Sequence, residues 1–269
     1  MSKTNRRTVL KSVVTSSGVV GSIGSTQVFS VDTGQKDSPG TTIKLDETEP
    51  GPQSEWEELA NEAPTLTGAD GRYDYLNYNG HWTWEFDESV NCGWGNSGSG
   101  DGKHIITCYE AVDADGSILR DGAGNYHYII EMWATAEGDS IWACPSLYIE
   151  KLQAEISTDS NGGAVFQSRD PINRTSVNDE RIAVSEGHTV GGISYNADSV
   201  VRFNDGTFGP TDWVPGPAGT YTVNWEGSET ERTDMVAYVR LTSSCKIKFK
   251  NGGCNSGLEW TVWGIYNYS

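Results

Sequence analysis

An all-β protein, built as a single antiparallel β-sandwich of jelly-roll-like type, is the fold class this sequence predicts, on three observations. The run His81-Trp82-Thr83-Trp84-Glu85-Phe86-Asp87 alternates aromatic with polar residues. On an extended chain that puts Trp82, Trp84 and Phe86 on one face and His81, Thr83, Glu85 and Asp87 on the other, the pattern of a half-buried strand. Short runs rich in Val, Ile, Tyr and Trp recur roughly every dozen residues between turn signals, with Asp-Gly pairs at 101, 115, 121 and 205. The 32 Gly, 10 Trp and 12 Tyr against only 3 Met favour sheets and turns over helices.

The 269 residues suffice for a large core. Net charge is −18, from 37 acidic and 19 basic residues, and four of those cations (Lys3, Arg6, Arg7, Lys11) lie in the first eleven positions, so losing them would leave −22. The aromatic content argues against a disordered acidic chain. A diffuse acidic surface with few cations suits a halophile, where molar salt screens self-repulsion beyond ~3 Å. It argues against nucleic acid as a partner.

Residues 1–30 read as a leader. Asn5-Arg6-Arg7-Thr8-Val9-Leu10-Lys11 resembles the twin-arginine export motif, with Arg6, Arg7, Leu10 and Lys11 in the places the motif requires. That resemblance implies passage through the twin-arginine machinery as a folded cargo and an extracellular destination. The apolar stretch 13–20 is too short and too rich in Gly and Ser to span a bilayer, and no transmembrane segment is expected in the mature protein. Cleavage is expected between Gly24 and Gly34. Residues 31–68, acidic and poor in apolar side chains, read as a flexible linker. Within it Ser54–Ala60 suits one short helix, with Ser54 as N-cap, acids in the first turn and Trp56 free to dock on the main domain.

The sandwich domain spans 69–269. Its expected strands are an aromatic run at 73–78, the alternating stretch from 81, then 104–112, a turn at Asp115-Gly116, and 126–135. Residues 145–156 fit either a helix or a strand; the Asn161-Gly162-Gly163 turn and the strand-like 164–167 favour a hairpin. Further strands are expected at 200–203, 219–225, 235–242, 245–250 and 258–268.

Five cysteines in an exported chain favour disulfides over a metal site. Cys245 and Cys254 flank what reads as a hairpin end, and Cys92 and Cys108 flank a Gly-rich loop. Each closure is worth roughly 2–3 kcal/mol. Cys144 is left over, buried and free or substituting in the 92/108 pair. Cys92, His104 and Cys108 match no standard zinc spacing. Asp113-Ala114-Asp115-Gly116 with Asp121 resembles a calcium loop only in part, since Ser117 and Gly124 occupy ligand positions. No cofactor or metal is inferred. Asn173-Arg174-Thr175 and Asn267-Tyr268-Ser269 are acceptor sequons for glycosylation.

No strong catalytic motif is present. A retaining glycosidase needs two carboxyl groups ~5 Å apart in an aromatic cleft, and Glu85, Asp87, Glu131, Glu226 and Glu259 all lie in Trp-bearing strands. Outward carboxylates are expected all over an acidic sheet, so Glu85, Asp87 and Glu131 are read as candidate surface carboxylates. The four histidines come without a Gly-x-Ser-x-Gly elbow.

Trp84-Glu85-Phe86-Asp87, then Val90-Asn91-Cys92-Gly93, Cys108 with Val112-Asp113, and Glu131-Met132-Trp133 resemble, in order, a stretch of the haloarchaeal halocin precursors. The likeness covers about residues 75–135 and the leader, with a Gly-rich insertion at 94–103. It implies an exported antimicrobial protein acting on the envelope of competing halophiles, a family linked to interference with sodium/proton exchange. No residue that carries killing is matched. The expectation is an exported, disulfide-stapled, acidic β-sandwich that works by binding. The alternatives are a carbohydrate-binding or carbohydrate-cleaving jelly roll and a structural cell-surface component.

Overall fold

A computed structural model describes residues 27–30, 41–62, 75–93, 96–139, 147–229, 232–249 and 254–268. The export motif at Arg6, Arg7, Leu10 and Lys11, and Cys144, lie outside these residues. In chain order the elements are β1 (Gln27–Ser30), β2 (Thr41–Lys44), α1 (Gln53–Glu62), β3 (Leu76–Gly93), β4 (Asn96–Ala111), β5 (Tyr126–Asp139), β6 (Leu147–Thr158) and β7 (Ala164–Asp170). They continue with β8 (Thr175–Val177), β9 (Glu180–Val190), β10 (Ile193–Phe203), β11 (Gly206–Val214), β12 (Thr220–Glu229), β13 (Thr233–Ser243) and β14 (Leu258–Tyr268). The chain is an all-β sandwich. One six-stranded sheet has the order β1-β3-β4-β5-β13-β7, the other β2-β14-β6-β12-β11-β8, and β9 and β10 form a separate two-stranded ribbon. Every pairing is antiparallel except β1 on β3.

The two large sheets face each other through the residues that alternation assigns to their inner sides. Trp82, Trp84 and Phe86 are buried as expected, and so are Ile156, Tyr221, Val223, Trp225 and Trp260 from the facing sheet. Phe86 is gripped from both sheets: a Cβ placed on Gly102, its ladder partner on β4, or on Gly264 of the facing β14 would strike its ring. Glycine at both positions is what lets the phenyl ring fit.

The opposite face of β3 departs from the half-buried expectation. His81 is 1% exposed and Thr83 8%, because a third layer lies over the outer side of the first sheet. Helix α1 seats Trp56 against Tyr78 and Tyr109, with ring centroids 5.4 Å and 6.2 Å away, and a Cβ on Gly51 would strike the His81 ring. The ribbon β9–β10 covers the rest, placing Tyr195 and Ser199 against His127 and Tyr238.

Four expectations are corrected here. The stretch read as a flexible linker contributes β2 and α1, and Leu45, Trp56 and Leu59 belong to the core, so the packed domain includes 41–59. Helix α1 forms where expected, but its first turn is closed on Pro52 rather than Ser54: the N–H groups of Glu55 and Trp56 both donate to the Pro52 carbonyl. Strands β6 and β7 exist yet do not form a hairpin. β6 lies between β14 and β12 in one sheet and β7 on the edge of the other. The Asn161-Gly162-Gly163 turn carries the chain across, because Gly162 lets the backbone at Ser256 approach to where a Cβ would meet its carbonyl at 2.3 Å. Residues 245–249, expected as a strand, run as a loop with one bridge from Ile247 to Cys254, and Phe249 packs edge-on to Trp82 at 4.4 Å.

Candidate functional site

The sequence-selected carboxylates do not converge. Glu85 pairs across the strands with Lys103 at 3.0 Å. Glu131 sits opposite Thr107, four residues further along β4, so strand rise alone separates the two by ~13 Å. Glu131 is not a surface carboxylate: it is fully buried. The Tyr109 hydroxyl donates to one of its oxygens at 2.9 Å and the Tyr238 hydroxyl to the other at 3.2 Å. The Asp87 and Asn267 side chains lie outside the described residues. Asn173 is exposed, between β7 and β8.

Cys245 and Cys254 form the expected disulfide, with Cα atoms 5.7 Å apart. The Cys92–Cys108 pair is not formed. Cys108 is a buried free thiol whose ladder partner on β3 is Gly80, some 40 Å of extended strand from Cys92, whereas a disulfide needs Cα atoms within ~7 Å. Burial pushes the Cys108 thiol well above its ordinary pKa. In the partial calcium-loop match, Asp113 Oδ1 accepts the N–H groups of Asp115 and Ser117, and Asp121 Oδ1 those of Ala123 and Asn125. Both carboxylates close tight turns. Among the described residues no three His, Cys, Asp or Glu side chains gather as a metal would require, and no helix is long and apolar enough to cross a membrane.

Two features stand out on the outer surface. The first is the ribbon. It shares no ladder hydrogen bonds with either sheet and is held by side chains. Ser199 donates to the Tyr238 hydroxyl at 2.6 Å, which extends the Glu131 network. The Tyr195 hydroxyl meets His127 Nδ1 at 3.0 Å, and the His127 and His188 rings stack at 5.8 Å. Ser168 bridges Glu186 and Arg240, at 2.8 Å and 2.9 Å, while the Ser185 N–H donates to Asp170 at 2.7 Å. Alternation places Val184, Glu186, Val190, Tyr195, Ala197, Ser199, Val201 and Phe203 inward. Outward it leaves Ser185, Gly187, Thr189, Ser194 and Asn196 towards the tip and Ala183, Val200, Arg181 and Arg202 towards the other end, all exposed, with half-buried Asp198 as the acid of that face, opposite Ser185.

The second is a cleft of about 410 Å³ at the open edge of the sandwich, where β2 of one sheet faces β3 of the other. Ile43, Trp82 and Thr83 line it, with Lys44, Glu47 and Glu259 among its charged groups. Lys44 Nζ lies 3.3 Å from Glu47 and 4.0 Å from Glu259. The Trp82 indole N–H donates to the Thr48 carbonyl at 3.1 Å, which fixes that wall. Thr83 Oγ1 is buried with no hydrogen-bond partner among the described residues. Sequence reasoning singled out Glu259 but missed Lys44 and Glu47, which fall in the stretch taken for a linker; the alternating Thr-Ile-Lys-Leu at 42–45 is the signal that could have found them.

No family model matches the sequence, and no curated protein matches it. Among solved structures the chain is similar to the delta-toxin of Clostridium perfringens, at 8% identity over 72% of this chain and 94% of that one, with a TM-score of 0.38. It is also similar to the NetB toxin of Clostridium perfringens in its membrane inserted form, at 8% identity over 70% and 94% of the two chains, with a TM-score of 0.25. At these values neither likeness says what this chain binds.

Proposed function

We propose that this chain is an exported protein of a halophile that works by binding to the envelope of competing cells, as its resemblance to halocin precursors implies. The observation that carries the reading is the outward face of the ribbon. On a chain of net charge −18, the half of that face next to the tip is a platform of small hydroxyl and amide side chains, Ser185, Thr189, Ser194 and Asn196, with Asp198 as its one acid. Small uncharged polar groups on a flat strand pair suit hydrogen bonding at close approach, and an acidic surface around them discourages other contacts. β9 and β10 pair only with each other among the described residues, so each also presents a backbone edge of the kind that extended partners add to. The leader and the acidic composition support export into concentrated salt, where short-range hydrogen bonds outlast charge attraction.

The test is retention of the purified mature protein on whole cells of a panel of halophiles at molar salt. Saturable binding to some strains is expected, with Ser194→Glu together with Asn196→Glu weakening it at least tenfold while the melting temperature holds. Binding to no strain, or binding untouched by that pair, would refute the reading.

A further inference from the structure

We infer that the tip half of the ribbon, residues 187–196, is an acid-released flap: protonation of His127 and His188 lifts it from the first sheet while the sandwich stays folded. This concerns how the ribbon is held, not what its outer face meets, and does not rest on the envelope-binding reading.

The two halves of the ribbon are held differently. Towards the base Val184, Val201 and Phe203 are buried, and Phe203 stacks on Phe208 of β11 with ring centroids 4.1 Å apart. Ser199 joins the Glu131 network there through the Tyr238 hydroxyl. That half ends where the Ser185 N–H meets Asp170 and where Glu186 accepts from Ser168 and Arg240. Beyond it no ladder bond ties either strand to a sheet. The tip rests on Val190, Ile193 and Ala197 and on one cluster of rings. His188 and Tyr195 stand opposite each other on β9 and β10, and both meet His127 of β5, with His188 near-parallel at 5.8 Å and Tyr195 edge-on at 6.0 Å.

This cluster is complete only while the histidines are neutral. His127 is buried, and its Nδ1 accepts from the Tyr195 hydroxyl at 3.0 Å, which leaves the ring hydrogen on Nε2, 3.7 Å from Asp121 Oδ2. A proton added at Nδ1 faces a hydroxyl that already donates there and that accepts from Arg240, so Tyr195 loses its acceptor. The charged groups around the pair come from four places: Asp121 from the turn before β5, Arg240 from β13, Glu186 from β9 and Asp170 from β7. Asp121 belongs to the sandwich and stabilises a charged His127 whether the flap is down or up. Glu186 is already taken by Arg240 and Ser168. A lowered flap therefore brings to a charged His127 only a second imidazolium, with the Arg240 guanidinium acting on both. A raised flap gives all three cations to water, so protonation favours the raised state. His188, at the exposed rim, is where protons enter.

The sign follows from burial, which holds both histidines below their ordinary 6.5. The flap is fully held above 6.5 and loses its hold as pH falls below that. Asp170, which burial raises from 3.8, opposes release at the acid end of the range, and Asp121, held below 3.8, keeps its charge throughout it.

The test is amide exchange of the protein in molar salt at pH 7.5 and 5.5, corrected for intrinsic rates, together with proton NMR titration of the histidine rings. Residues 187–196 are expected to exchange about tenfold faster or more at pH 5.5 while β4 and β5 stay protected. The His127 and His188 signals are expected to titrate below 6.5 over the same range, a measurement that needs no variant. His127→Gln with His188→Asn, uncharged at both pH values, is expected to abolish the difference at the tip. Tip exchange indifferent to pH, a rise shared by β4 and β5, a rise that persists in the double variant, or rings that titrate above 6.5 would each overturn the proposal.

Discussion

Glu131 is the residue on which alternation alone misleads. Its place on β5 is correctly outward with respect to the sandwich, and the period-2 reading then predicts solvent. A layer distant in sequence covers it instead, and two tyrosine hydroxyls replace the water. Glu131→Ala leaves those hydroxyls without their acceptor in a dry interface, so a loss of about 3 kcal/mol or more is expected in chemical denaturation. Glu131→Gln keeps an acceptor and should cost clearly less; equal losses would contradict the network. Two histidines make the acid behaviour predictable. Burial lowers His81 to about 4 and His104 to about 3, against 6.5 in the unfolded chain. Both are neutral in either state above pH 7. Below 6.5 the unfolded chain takes up protons that the folded one refuses, so stability falls as pH drops. For these two the slope approaches ~2.7 kcal/mol per pH unit until His81 begins to protonate near 4. His127 and His188 shift in the same direction. Melting temperatures should be level from pH 8 to 7 and fall from 6.5 to 4, and His104→Phe, in its aromatic setting between Trp84 and Phe86, should flatten that fall. A curve unchanged by the substitution would contradict the assignment.

At the scale of the element, strands were legible wherever aromatic and β-branched residues alternate, as at 81–86 and 126–135. Their partners were not. A turn such as Asn161-Gly162-Gly163 says that the chain reverses, and only the long-range seat of Gly162 on Ser256 decides that it changes sheets. Segment 41–59 was misread because its few apolar residues are spaced far apart, while each is fully used: Leu45, Trp56 and Leu59 all reach the core. The ribbon depends on its tip. Gly191 and Gly192 have φ of 59° and 87°, and a Cβ on either would meet nothing within 4 Å, so replacing Gly191 by Val tests backbone strain alone. A cost of about 1–2 kcal/mol is expected, read as faster amide exchange across β9 and β10, with Gly191→Asn much milder because Asn tolerates positive φ. Uniform exchange rates in all three proteins would show that the ribbon does not open by itself. Removing the disulfide as Cys245→Ser with Cys254→Ser should cost roughly 2–3 kcal/mol.

For the whole molecule, composition and turn spacing were enough for the all-β sandwich, since large aromatics with abundant glycine have few other ways to build a core. Strand order, the third layer and the cleft were beyond reach, being set by contacts between residues more than a hundred positions apart, such as Thr42 with Thr261 at 2.8 Å. The charge of −18 is a property of the whole surface. Its self-repulsion should make cooperative folding depend on salt, with a melting temperature that rises from dilute buffer to molar salt; an unchanged melt in dilute buffer would contradict the halophilic reading. The claim that binding to competing cells is the protein's work meets its most direct trial on living lawns. Mature protein spotted on a broad panel of related halophiles should clear a zone on the strains that retain it and leave the others intact. Strains that retain the protein yet grow undisturbed beneath it would contradict the account.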